Sequence, residues 1–185
     1  MNLRVLDAGS STGGFSDCLL QLGVKELYAV DVGTNQLHEK IRNNPRVVVF
    51  ERTNIRDFVD PKGVGFDLVV GDLSFVSVAS LAPSLLSVAK NQGHLLILVK
   101  PQFEVGYRDA SRAKGIIKDP ELWRKALLKV AEAFSDQGAA ILGVATSQIK
   151  GTEGNVEFFY HILNGSRDEN IDIEFLVAEE ISQIV

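Results

Sequence analysis

The chain has 185 residues, 45% of them hydrophobic, and a net charge of -5 at pH 7, which suits one sizeable core and a single domain and excludes nucleic-acid binding by bulk electrostatics alone. One cysteine rules out an intramolecular disulfide, and three scattered histidines without a Cys/His cluster argue against a metal site. No signal peptide is visible and no apolar run approaches the about 20 residues that span a bilayer, so a cytoplasmic protein away from membranes is expected.

The first β run, Leu3 to Leu6, stops at Asp7 and opens into a Gly-x-x-x-Gly-Gly turn from Gly9 to Gly14. A helix from Gly13 to Leu22 follows, with Phe15, Cys18, Leu19 and Leu22 at helical spacing, and Gly23 ends it. Cys18, beside Leu19 and Leu20, is expected to pack rather than react. Leu27 to Val30 is the second β run, ending at Asp31; Gln36 to Arg42 fits a short helix, Asn43-Asn44-Pro45 a turn, and Val47 to Phe50 a third strand. Asp67 to Val70 is a continuous apolar strand that ends at Gly71-Asp72, with a helix from about Val78 to Lys90 after it. His94 to Val99 is a fifth strand, closed by Lys100-Pro101, and a polar loop runs from Gln102 to Lys118. Asp119-Pro120-Glu121 starts a helix through Phe134 by the rules for proline and acids in a first turn.

Near-continuous apolar strands separated by helices predict a parallel sheet covered on both faces. The end of the chain differs: strand Ala139 to Thr146 reaches Val156 to Ile162 through only a glycine-rich connection, too short for a parallel crossover. An antiparallel hairpin at a sheet edge is therefore expected, with Ile171 to Ile184 as a final helix. The resulting α/β plan, a mostly parallel seven-stranded sheet with a terminal antiparallel hairpin, resembles that of the Rossmann-like methyltransferases, in which S-adenosylmethionine lies across the strand ends. Ligands in such sheets bind outside the carboxyl ends of the strands, and Asp7, Asp31, Asp72 and Lys100 all stand there.

The glycine turn is neither the Gly-x-Gly-x-x-Gly fingerprint nor a P-loop. Its glycines permit backbone angles and close approaches closed to other residues, and a polar loop entering a helix leaves N–H groups for a polar ligand. Asp7, Gly9, Ser10, Ser11, Thr12, Gly13, Gly14 and Phe15 are accordingly expected to cradle the cofactor. Asp31, with Val32 next to it, is placed to accept both ribose hydroxyls of an adenosine. Asn54 and Asp57 lie where an adenine amino group would be read, and each equally fits a turn cap. Asp72 and Lys100 close adjacent strands, so their side chains should meet; Glu157 completes a cluster suited to moving a proton, whose bland counterpart is a structural salt bridge. In the polar loop, Phe103, Tyr107, Arg108, Arg112, Lys114 and Lys118 suit a flipped base and phosphates, or equally a solvated surface.

Leu6-Asp7-Ala8-Gly9-Ser10-Ser11-Thr12-Gly13-Gly14-Phe15, Asp31-Val32-Gly33, Glu51-Arg52-Thr53-Asn54, Gly71-Asp72-Leu73-Ser74-Phe75, Val99-Lys100-Pro101-Gln102-Phe103-Glu104 and Gly154-Asn155-Val156-Glu157-Phe158-Phe159 together resemble the hemolysin/TlyA family. That family is similar to the FtsJ-type ribosomal RNA 2′-O-methyltransferases. The resemblance implies S-adenosylmethionine as cofactor, ribosomal RNA or a ribosomal subunit as partner, and methyl transfer to a cytidine ribose hydroxyl. FtsJ-type enzymes use a Lys-Asp-Lys-Glu tetrad, and by motif its last three members fall on Asp72, Lys100 and Glu157. The first lysine would precede the glycine-loop strand, where only Met1-Asn2 stand, and the family's usual S4-like RNA-binding domain is not in this sequence. The expectation is a single FtsJ-like domain over residues 1–185, a fragment lacking an N-terminal RNA-binding domain. Two rivals stand beside it: a cofactor-binding or ribosome-assembly module without turnover, and membrane lysis. The sequence supports lysis little, since Ile171 to Ile184 carries four acids and no lysine or arginine.

Overall fold

A computed structural model describes residues 2–151, 153–165 and 171–184; the side chains of Tyr107 and Asp109 also lie outside the description. Seven strands form one sheet in the order β3-β2-β1-β4-β5-β7-β6. Strand β1, Arg4–Ala8, pairs in parallel with β2, Glu26–Val30, and with the central strand β4, Phe66–Asp72. Beyond them β3, Val47–Phe50, and β5, Ala89–Val99, are also parallel, whereas β7, Phe158–Leu163, runs antiparallel to both β5 and β6, Ala140–Thr146. The expected hairpin is therefore present, with its second strand inserted next to β5.

Alternate residues of each strand feed two cores, as the two-residue period of a strand requires. One is formed by Leu6, Tyr28, Val69, Leu95, Ile97 and Tyr160 against α3, Ala82–Val88, α6, Pro120–Ser135, and α7, Ile173–Ser182. The other gathers Val5, Leu27, Ala29 and Val70 beneath α1, Gly14–Gln21, and α2, Glu39–Arg42. This second cover stops at β4: His94, Leu96 and His161 on β5 and β7 are exposed, so the sheet is covered on both faces only over part of its width. Cys18 is exposed as well, on the outer side of α1.

At the foot of β1, Arg4 is buried between the rings of Tyr28 and Phe66, 4.4 and 4.1 Å away. It pairs with Asp60 at 2.5 Å and Glu26 at 3.1 Å. Burial alone would raise the Asp60 pKa, but the Arg4 guanidinium and backbone N–H groups hold it at about 2. This network joins the sheet to the 60–65 loop at the end opposite the strand-end rim.

Three expected elements change. The helix from Val78 becomes a 3-10 turn, Ala79–Leu81, followed by α3, which ends at Val88 because Ala89 turns extended and pairs with Phe66. The Gln102–Lys118 stretch is not an open loop; it holds α4, Pro101–Glu104, and α5, Tyr107–Arg112. Pro101 starts α4 at a first-turn position that needs no N–H. The helix before β3 is confined to Glu39–Arg42, capped by the His38 side chain.

Candidate functional site

The carboxyl ends of β1, β2, β4 and β5 form one rim, and the glycine turn lies across it. Gly9 takes φ +80°, and a Cβ there would stand 2.5 Å from the Asp72 carbonyl oxygen. Only glycine lets β1 leave the sheet so close to β4. The N–H groups of Gly9 and Ser10 donate to the Val30 carbonyl at 2.9 and 3.2 Å, which ties the turn to β2. Asp31 is held in turn: its carboxylate accepts the Ser11 N–H at 2.8 Å and the Gly33 N–H at 2.7 Å. Each oxygen keeps lone-pair capacity for a further donor.

A groove of about 510 Å³ opens between this turn and the segment after β4. Of the residues expected to hold the cofactor, Gly9, Ser11, Asp31, Val32, Asn54 and Asp72 line it. Asn54 is also a turn cap, accepting the Arg56 N–H at 3.0 Å. The others are placed elsewhere. Asp7 and Ser10 are buried behind the turn, with Asp7 accepting the Ser16 hydroxyl at 2.6 Å. Thr12 uses its carbonyl for the His38 N–H, and Gly13 packs on Leu37 and Ile41 rather than facing a ligand. Gly14 begins α1 in open space, Phe15 meets Phe159 at 6.1 Å between ring centres, and Asp57 is exposed outside the groove. The outer half of the glycine turn thus builds the protein, and its inner half faces the groove.

Asp7 titrates far from an ordinary carboxyl. Burial pushes its pKa up to about 6, the charges of Asp72 and Asp31 push the same way, and the bonds from Ser16 oppose them.

Lys100 stands where β5 gives way to α4, and its Nζ lies 2.6 Å from Asp72 Oδ1 and 2.8 Å from Ser74 Oγ. Glu157, just ahead of β7, is 8% exposed, and its carboxylate closes against Gly151, where a Cβ would be 2.6 Å from Oε1. Burial raises the Glu157 pKa, and Asp72 adds to the rise while Lys100 and Gln102 oppose it. The three side chains that spacing brings to one rim therefore share one electrostatic cluster. Lys100 and Glu157 border a second hollow of about 430 Å³, lined also by Gln102, Phe103, Gly115, Glu153 and Asn155.

Phe75, with Ser74 beside it, lines both hollows. It is 91% exposed, holds φ +62°, and has its ring 5.3 Å from that of Phe103. Sequence reasoning gave Phe75 no role, nor Ser74, Gln102 and Asn155. The available signal was position: residues just beyond a charged strand end land on the same rim. Of the loop residues expected to meet RNA, Phe103 lines the second hollow, while Arg108, Arg112 and Lys114 are exposed beside it on α5 and the turn to Gly115. The Tyr107 side chain lies outside the described residues. Among those residues, no helix is long and apolar enough to cross a membrane, and no three His, Cys, Asp or Glu side chains gather as a metal site.

Comparison with known proteins gives a consistent result. The family model for FtsJ-like methyltransferases matches residues 1–163. The chain is 46% identical over 158 residues to the 16S/23S rRNA (cytidine-2'-O)-methyltransferase TlyA of Mycobacterium tuberculosis, covering 84% of this chain and 58% of that protein. It is 40% identical over 165 residues to hemolysin A of Brachyspira hyodysenteriae, covering 88% and 68%. Among solved structures, a hemolysin-named protein of Lactococcus lactis is 40% identical with a TM-score of 0.88, covering 96% of this chain and 87% of that one. The N-methyltransferase NodS of Bradyrhizobium japonicum, solved with S-adenosyl-L-homocysteine, shares the fold at 13% identity and a TM-score of 0.65, covering 89% of this chain and 80% of that one.

Proposed function

The chain belongs to the FtsJ-like methyltransferase family, and from that premise we propose that it transfers a methyl group from S-adenosylmethionine to a ribose 2′-hydroxyl, that of a cytidine, in ribosomal RNA within the cytoplasm. The observation that carries the reading is the Lys100–Asp72 pair, 2.6 Å apart, with Asp72 on one hollow and Lys100 on the next, the two hollows sharing Ser74 and Phe75 as lining.

The first hollow suits an adenosine-bearing cofactor. The Gly9 turn keeps its floor open where any Cβ would fill it against Asp72, Asp31 offers its remaining lone pairs to ribose hydroxyls, and Asn54 lies on the wall for a base. S-adenosylmethionine, when bound, supplies an electrophilic methyl group on a positively charged sulfur, which suits a rim carrying Asp31 and Asp72. The second hollow takes the nucleoside to be modified. Lys100, as the neutral amine left once its own proton has passed to solvent, receives the proton of the 2′-hydroxyl, and Asp72 and Glu157 favour the ammonium so formed. Ser74 holds the Lys100 side chain in one direction, and Phe75 shields the seam between the hollows from water. Much of the acceleration then comes from holding two reactants in line. Arg108, Arg112 and Lys114 meet phosphates flanking the target, positioning it without reading sequence.

Calorimetry and a methylation assay on ribosomal subunits test this together. Lys100→Ala should bind S-adenosylmethionine within about threefold of the parent and lose transfer by about a hundredfold or more. Full activity in that variant, or tight binding of NADH in place of S-adenosylmethionine, would sink the reading.

A further inference from the structure

Glu104 is 4% exposed, yet it takes no part in the Lys100 cluster. It is the last residue of α4, four positions after Lys100, and its carboxylate reaches the segment that follows Asp72. There it accepts the Ser77 hydroxyl at 2.6 Å and the Val78 N–H. Lys129 of α6 closes the arrangement, donating to the Glu104 carbonyl at 2.8 Å, to its Oε2 at 3.3 Å and to Ser77 Oγ at 3.2 Å. One buried carboxylate thus ties together the two segments that leave adjacent strands β4 and β5.

Those segments carry the reacting geometry. Between the Asp72 strand end and the Ser77–Val78 anchor lie Ser74, whose hydroxyl holds Lys100, and Phe75, in a left-handed conformation that a side chain disfavours. Such a conformation persists only where its surroundings over-determine it. The upstream constraint is the sheet itself; downstream, Glu104 acts together with the burial of Val78 and the contact of Phe75 with Phe103. Neither Glu104 nor its partners Ser77, Val78 and Lys129 line either hollow.

We propose that Glu104 is a positioning residue: by pinning Ser77 and Val78 to α4, it fixes Ser74 and Asp72 against Lys100 Nζ. The proposal rests on the methyl-transfer reading for its kinetic consequence, because a small misplacement of a reacting group costs rate while leaving ligand affinity intact. A carboxylate that served stability alone would lower the unfolding midpoint and leave turnover of the folded protein unchanged.

The test compares Glu104→Ala, Glu104→Gln and Ser77→Ala with the parent, all in the full chain. Three quantities are measured: kcat, the KM for S-adenosylmethionine, and the side-chain ammonium resonance of Lys100 in 15N-labelled protein. In Glu104→Ala, kcat should fall by about tenfold to a hundredfold with KM within about threefold, and the Lys100 resonance should shift or broaden. Glu104→Gln should recover part of kcat, since its amide oxygen still accepts from Val78. A folded Glu104→Ala with kcat within about twofold of the parent and an unmoved Lys100 resonance overturns the proposal. Should that variant fail to fold, Ser77→Ala, which keeps the Val78 bond, decides by the same two readouts. If the parent transfers no methyl group, the functional reading fails, and the Lys100 resonance alone then decides: moved in the variants, it supports the positioning role; unmoved, it overturns it.

Discussion

Asp7 shows what a single buried charge does to this fold. Its carboxyl is 1% exposed and its pKa is pushed up to about 6 from an ordinary 3.8, chiefly by burial. The folded state therefore holds the proton more tightly than the unfolded chain, and stability falls as pH rises from about 4 to about 6, with the full cost present above that window. The shift corresponds to roughly 3 kcal/mol as an upper bound. Asp7→Asn should remove that decline and be more stable than the parent at pH 7.5 by about 1–3 kcal/mol in urea unfolding; parallel pH curves for the two proteins would refute the account. Glu157, also raised by burial, adds a slope of the same sign in the parent. Under the proposed function these costs are offset when a cation occupies the rim between Asp31 and Asp72. The pattern of apolar strands ending in acids announced that Asp7 sits at a strand end. It did not announce that the side chain turns inward to Ser16, because the direction of a side chain at a strand end depends on the helix packed over it.

At the scale of elements, the glycine turn divides into a part that serves the groove and a part that serves packing. Gly9→Ala combines a disallowed φ with a Cβ 2.5 Å from the Asp72 carbonyl, so it should push the end of β4 and weaken S-adenosylmethionine binding at least about tenfold. Gly14→Ala is the contrasting case: its Cβ meets nothing within 4 Å and it lies in the first turn of α1. That variant should leave affinity unchanged and raise stability by about 0.5–1 kcal/mol. Equal losses in the two variants, by calorimetry and thermal unfolding, would contradict this division. The long elements were legible from periodicity, α6 and its Asp119 cap most of all. The short helices α4 and α5 were not, since four to six residues carry too little period to stand out from a polar loop. Ala89 and Lys90 read as helix because their neighbours alternate at helical spacing; pairing with Phe66 across the sheet overrides that local preference.

For the whole molecule, the net charge of -5 means that the proposed affinity for RNA cannot come from the average surface. Under the proposed function, the contribution of this chain comes from the cations beside the second hollow. Arg108 and Arg112 stand four residues apart on α5 and share a face. Replacing both with Gln should reduce the slope of log affinity against log salt for ribosomal RNA by about 1.4–1.8, without altering S-adenosylmethionine binding; an unchanged slope would remove α5 from the RNA contact. The sequence by itself determined the class of fold, because apolar strand runs, helix caps and a connection too short for a parallel crossover are local properties. It also determined which charged groups end strands, and so which share a rim. Only the tertiary structure decided which of them meet a groove. Asp31 and Asp72 face it while Asp7, Gly13 and Asp57 do not, and Phe75 and Glu104 acquire their places from contacts 26 or more residues away in the chain. Those contacts depend on sheet order and on α4 and α6 packing over the β4 end, which no local spacing encodes.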